Sequence, residues 1–296
     1  MRSEFKTAIL IHYLGWQSSK TKFALGNGIY IHKLATHNVG KLYFNECKSK
    51  NMDNGEPYLY DVCIIIHDWE SVASGSGFTT DPYSLVSQLI NVIAIYFVTV
   101  IDMIRVIISR DNFKQYKHTE VIDYCGVQSE FLLESKIAIN DKNIKEIKKI
   151  WANMRRLWYE KQSQSRVINA LTHFYYSWNV HYIEQTAIYA SIVLEILFSP
   201  HSKDELSHQI AFNVCQFLGS DKNEKSLIYK KIKNYYSVRS KIVHGNQLSS
   251  KEEDVVPEFY KTICAILLKI IGNKKLSEVF DDNNKRKVFL ENLIFN

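Results

Sequence analysis

Proline occurs only four times in 296 residues and glycine eleven times, so long stretches lack the two residues that most strongly interrupt helices. The five cysteines, Cys47, Cys63, Cys125, Cys215 and Cys264, form no Cys-x-x-Cys pair, and no histidine stands at zinc-site spacing from two of them. That pattern argues against a disulfide framework or a structural zinc site and fits reduced thiols in a cytoplasmic protein. No apolar run reaches the roughly 20 residues of a membrane span. The longest, from Leu89 to Ile101, stops at Asp102 and Arg105 and reads as buried core. Near the start, Ala8-Ile9-Leu10-Ile11 follows Arg2, Glu4 and Lys6 and is too short for a secretory signal. Ser74-Gly75-Ser76-Gly77 lacks the lysine and the spacing of a phosphate-binding loop. No cofactor or metal is expected.

What the chain does have is enough apolar residue, 46%, for one large domain or two ordinary ones. Its net charge of +6 and isoelectric point near 8.8 are permissive for nucleic acid and no more. The pattern changes at the polar cluster Asn140-Asp141-Lys142-Asn143, which divides a mixed α/β N-terminal domain (1–140), a sensing or substrate-selecting module, from a helical domain (141–296). The fold class is therefore α+β. In the first part, 28–34, 41–44 and 58–66 are rich in β-branched and aromatic residues and should form a sheet. A flexible loop covers 73–77, and 81–108 reads as helix entering or neighbouring further strand. From 143 the period becomes helical, with Ile144, Ile147, Trp151, Met154 and Trp158 on one stripe and Lys145, Lys149, Arg155 and Arg156 on the rest of the surface. Further helices are expected at 164–178, 181–198, 203–219, 223–244 and 254–272, with a weaker tail at 283–293.

The chemistry concentrates where one of these helices stops. Tyr236-Ser237-Val238-Arg239-Ser240-Lys241-Ile242-Val243-His244-Gly245-Asn246 sets an Arg and a His five positions apart. A histidine can move a proton near neutral pH, and an arginine can hold phosphate oxygens with a planar fork of donors. Those two groups suffice to cut RNA without a metal, because the ribose 2′-OH is itself the nucleophile. Five residues of ideal helix turn through about 140°, so His244 must use the loosened last turn, which Gly245 would close, to approach the Arg239 side. Cations are also favoured at helix C-termini as caps, so the spacing alone carries little specificity. Glu195 is the only formally charged side chain between Glu184 and His201, and a carboxylate in so apolar a helix demands a partner; Arg239 is the natural one. His208 reads as a structural or surface histidine.

The segment from Tyr236 to Gly245 resembles the terminal motif of Apea-like HEPN domains. Leu194-Glu195-Ile196-Leu197-Phe198 is similar to that family's Leu-Glu-x-Leu helix end, and Glu205–Ala211 through Phe217-Leu218-Gly219 to its next helix. The resemblance covers about 180–270. It implies an all-α HEPN bundle after the mixed domain and a metal-independent endoribonuclease of toxin or anti-phage type, leaving 2′,3′-cyclic phosphate. It also implies a homodimer that pools two motifs, and an antitoxin or defence partner. Arg239 and His244 are then catalytic, Glu195 and Ser240 supporting, and Lys241 and Asn246 RNA-binding. Two positions depart from the family: Gln209 stands where relatives often carry a basic residue, and Asn246 replaces the tyrosine that one branch has modified. The alternative is a non-catalytic module for RNA or protein binding, or for dimerisation.

Overall fold

The computed structural model describes residues 6–11, 14–26, 28–41, 62–67, 82–98, 103–109, 114, 119–123, 137–161, 165–180, 182–199 and 205–293. It is an α+β structure that divides into two compact units, one running through Arg155 and the other built chiefly from Arg156–Asn296.

The first unit holds a six-stranded antiparallel sheet in the order β3-β4-β5-β1-β6-β7, formed by β1 (Lys6–Ile11), β3 (Lys22–Gly26), β4 (Ile29–Lys33), β5 (Val62–His67), β6 (Met103–Ser109) and β7 (Thr119–Asp123). The apolar tetrad Ala8–Ile11 thus belongs to β1, which pairs with β5 on one side and β6 on the other. β2 (Leu14–Trp16) pairs in parallel with β8 (Ile137–Ile139) as a separate ribbon. Of the expected strands, 28–34 is observed as β4 and the end of 58–66 as β5. Lys41 instead ends a short helical turn, 38–41, whose entry is favoured by His37: its Nδ1 accepts the Val39 amide at 3.2 Å. Residues 42–44, 58–61 and the loop 73–77 lie outside the described residues. Helix α1 (Pro82–Phe97) precedes β6, and Gln88–Ile95 are buried without a break. Eight consecutive buried residues present no polar face, which is why periodicity leaves this segment undecided.

Helix α2 (Asn143–Lys161) follows β8. Its Ile144, Ile147, Trp151 and Met154 are buried as the stripe predicts, while Lys145 and Lys149 are exposed. The boundary between the units falls within α2, not at the polar cluster before it. The start of α2 is bound into the first unit: Asp141 pairs with Lys20 at 2.7 Å and Glu146 accepts the Tyr96 hydroxyl at 2.7 Å.

The second unit continues with α3 (Arg166–Trp178), α4 (Ile183–Phe198), α5 (Leu206–Leu218), α6 (Lys222–Val243), the single turn α7 (Ser250–Glu253), α8 (Val255–Ile271), α9 (Lys274–Asp281) and α10 (Asn283–Asn292). Side-chain caps mark the starts of four of these helices. Ser165 accepts the Ile168 amide, Asp221 those of Asn223 and Glu224, Asn273 that of Leu276, and Asp282 those of Asn284 and Lys285. Helix α4 packs against α3, α5, α6 and α8. Its last carbonyls, which no helical amide can reach, are taken by two arginines and, at Phe198, by the Asn213 side-chain amide at 3.1 Å. Arg166 donates to Ile196 at 2.6 Å, and the buried Arg286 donates to Leu197 and Ser199, each at 3.0 Å. Burial, and then the neighbouring Arg166, push the Arg286 guanidinium down to about 10. Phe198, Phe217, Phe280 and Phe289 interlock at that end of α4, all edge to face except the tilted Phe198–Phe217 pair.

Candidate site at the end of helix α6

Helix α6 is 22 residues long and packs against α5, α4 and α8. Ile232, Tyr235, Tyr236 and Val238 are its buried residues. Tyr235 lies at the centre: its ring stacks flat on Phe259 of α8, and its hydroxyl donates to the Ala187 carbonyl of α4. One turn later Arg239 occupies the same side. Its Nη2 lies 3.4 Å from Glu195 Oε1, with the two side chains 35% and 26% exposed.

The Glu195 carboxyl is pushed upward by burial, and the Arg239 charge pulls it back only in part. Beside the pair, burial raises the Tyr236 phenol, Glu195 raises it further, and Arg239 opposes both. Among the described residues, Glu195 Oε1, Arg239 Nε and the Tyr236 hydroxyl are buried atoms with no hydrogen-bond partner. A half-exposed ion pair contributes only about 0–1 kcal/mol. The contact therefore does more to orient the guanidinium than to stabilise the fold.

A pH dependence follows from the raised carboxyl. The folded chain keeps the Glu195 proton over a window that starts in the ordinary carboxylate range and extends upward, where the unfolded chain has already released it. The group's contribution to stability is therefore present below that window and lost as pH rises through it. Glu195→Gln removes the titration, so wild type should lose stability more steeply than the variant between acid and neutral pH. Denaturant unfolding at a series of pH values reads this; parallel profiles for the two proteins would refute it.

His244 caps the helix. Gly245 adopts φ +75°, its amide donates to Ile242 at 2.9 Å, and the Asn246 amide donates to Lys241 at 3.0 Å. These two bonds make a Schellman closure, as the glycine foretells. The His244 backbone, φ −85° and ψ 7°, leaves helical values only at ψ, beyond its own Cα, and its amide keeps the helical bond to Ser240 at 3.1 Å, so its Cα holds its helical phase relative to Arg239. Arg239 sits on the packed side of α6, whereas His244 is exposed, and no described side chain hydrogen-bonds or ion-pairs with its ring. The helical phase of about 140° between them persists. Apart from its chain neighbours, no atom lies within 4 Å of where a Gly245 Cβ would stand, so Gly245→Ala should cost only backbone strain, about 1 kcal/mol in urea unfolding, and should displace His244. No change in stability would mean the closure is not held by this residue.

The other expected residues separate. Ser240 and Asn246 are exposed. Lys241 forms an ion pair with Glu252, which also closes a capping box with Ser249 on α7. The Lys241 ammonium first, and then the Ser249 groups, hold the Glu252 carboxyl down to about 2. Lys241 is thus already paired, and a phosphate there must compete with a carboxylate. Ser249-x-x-Glu252 is a legible capping signature, and it is the available signal for this partner. Tyr235 has no such signal, because an aromatic at a core spacing looks like any other. His208 Nδ1 lies 2.7 Å from the Tyr229 hydroxyl, a link between α5 and α6, in keeping with a structural role.

Among the described residues no group of three or more His, Cys, Asp or Glu could hold a metal ion, and no helix is long and apolar enough to cross a membrane. Cys63, Cys215 and Cys264 are free and buried. Compared with protein-family models, curated proteins and solved structures, the chain gives no match.

Proposed function

We propose that this chain is a metal-independent endoribonuclease of the HEPN type, acting as a toxin or anti-phage effector. The observation that carries the reading is the end of α6: Arg239 is held by Glu195, while His244 stands exposed one turn beyond Ser240 at a closed helix terminus. In the proposed reaction a His244 imidazole takes the 2′-OH proton, the 2′-oxygen attacks phosphorus, and the 5′-oxygen leaves with a proton from a second imidazole. Arg239 neutralises the non-bridging oxygens of the pentacoordinate phosphate. The product strand then ends in 2′,3′-cyclic phosphate.

Two imidazoles, and the phase that parts Arg239 from His244 within one chain, both call for a homodimer in which the Arg of one protomer works with the His of its partner. A monomer that cuts RNA would contradict this arrangement. An antitoxin or defence-system partner belongs to the same reading, and the sheet-bearing unit would sense or select.

The test is incubation of the full chain with total RNA and tRNA in excess EDTA, with cut sites and end chemistry mapped on sequencing gels. Cleavage leaving cyclic phosphate is expected; 3′-OH ends, or a requirement for divalent metal, would overturn the mechanism. The second reading, a non-catalytic RNA- or protein-binding module, is favoured by one observation: Lys241 is occupied by Glu252 and Arg239 by Glu195, as in a surface built to pair its own charges.

A further inference from the structure

The outward side of α6 has a composition that neither folding nor the proposed catalysis requires. The helix carries seven Lys or Arg and a single Glu. At 100° per residue, Ser226, Lys230, Lys233, Asn234, Ser237, Lys241 and His244 fall within about 60° of one line along the helix. All seven are exposed, and no Asp or Glu of α6 shares that line. Glu224, the one acid of α6, is turned aside and accepts from Ser220 at 2.6 Å. The neighbouring groups are few: Lys233 reaches Ser207 at 3.1 Å, Lys241 meets Glu252, and Lys231, off the line, approaches Glu258 at 3.9 Å.

We propose that this face of α6 is a track for the backbone of single-stranded RNA, with Lys230 and Lys233 holding phosphates and the strand ending at His244. The inference rests on the ribonuclease reading and assigns it a substrate path. Composition, charge and strand geometry select the occupant. Lysines interspersed with Ser and Asn are the groups that bind phosphate and sugar without reading bases. A protein partner would need several aromatic or aliphatic anchors, and of the exposed large apolar side chains of α6, Val243 lies well off the line and Leu227 stands alone at its edge. A second copy alone would set lysines against lysines, whereas a polyanion lying between two such faces neutralises both. A single strand, unlike a stacked duplex, can also turn its 2′-oxygen in line with the scissile bond.

The test uses the full chain and a fluorescent, unstructured RNA carrying 2′-O-methyl groups, which can be bound but not cut. Binding is read by anisotropy across a salt series for wild type, Lys230→Gln/Lys233→Gln, and Lys287→Gln as a control on α10. The double variant should bind several-fold more weakly, and the slope of log affinity against log salt should fall by about 1.4, that is, about 0.7 for each phosphate no longer neutralised. The control should match wild type. Unchanged affinity and slope in the double variant would overturn the track, as would a wild type that binds polyglutamate but not RNA. Cleavage is scored separately on unmodified RNA. If the binding result holds and nothing is cut, the ribonuclease reading fails and the track stands; if RNA is cut while the double variant binds normally, the track fails and the ribonuclease stands.

Discussion

Replacing His244 with Ala is expected to lower RNA cleavage by about 10²- to 10⁴-fold, the usual loss when a positioned acid–base group is removed, while thermal unfolding stays where it was. The structural half of that expectation follows from exposure: the ring is outside the packed side of α6, and no described residue bonds to it. Its backbone amide, which donates to Ser240 at 3.1 Å, is kept in the variant, so the helix end persists. Affinity for uncleavable RNA should fall little, because the track lysines remain. Arg239→Ala makes the contrast. It too should abolish cleavage, but it leaves Glu195 half-buried without its cation, so it should also cost measurable stability. If His244→Ala retains full biological activity, the chain is a binding module and the catalytic reading is wrong.

Tyr235→Ala should be the most damaging of the stability changes, about 3–5 kcal/mol by urea denaturation, in the range for emptying a buried aromatic site. Tyr235 is 0% exposed, and its ring and hydroxyl join three helices at one point: α6 itself, α8 through Phe259 and α4 through Ala187. Tyr235→Phe keeps the ring and should cost only about 0.5–1.5 kcal/mol, the net worth of one hydrogen bond. If both variants lost less than about 1 kcal/mol, the three-helix junction would not be what holds α6 in place. Because Tyr236 and Arg239 follow directly on this helix, the Ala variant should also free the guanidinium from Glu195 and lose cleavage along with stability.

The helices are easier to read in the sequence than the sheet, for local reasons. The expected 164–178, 181–198, 223–244 and 254–272 agree with α3, α4, α6 and α8 to within a few residues, because Ser165, Asp221, Gly245 and Gly272 mark the ends. The weak tail at 283–293 is α10 alone; α9, which ends just before the N-cap Asp282, has no counterpart among the expected helices. Strand β1 escapes a local reading because its pairing is long-range: Lys6–Ile11 finds its partners at Val62–His67 and Met103–Ser109, whereas β3 pairs locally with β4 and is missed for want of a strong β-branched run. At the site, Glu195 with Arg239 is legible because a lone charge in an apolar helix needs a partner. Lys241 is expected to bind RNA, yet Glu252 reaches it from the next turn of structure, α7. The gap between Arg239 and His244 is visible in their spacing, and the helix geometry keeps it open.

The closure at Gly245 bears on how this protein can change over generations. The imidazole has no side-chain partner among the described residues, so its position depends on backbone alone, and the backbone there depends on one residue with positive φ. Drift at Asn246 or Ser240, both exposed, would pass unnoticed by the helix end. Drift at Gly245 would not. On the proposed reading, selection should therefore guard a glycine that touches no substrate almost as closely as the histidine beside it, and related chains should vary around that pair before they vary within it.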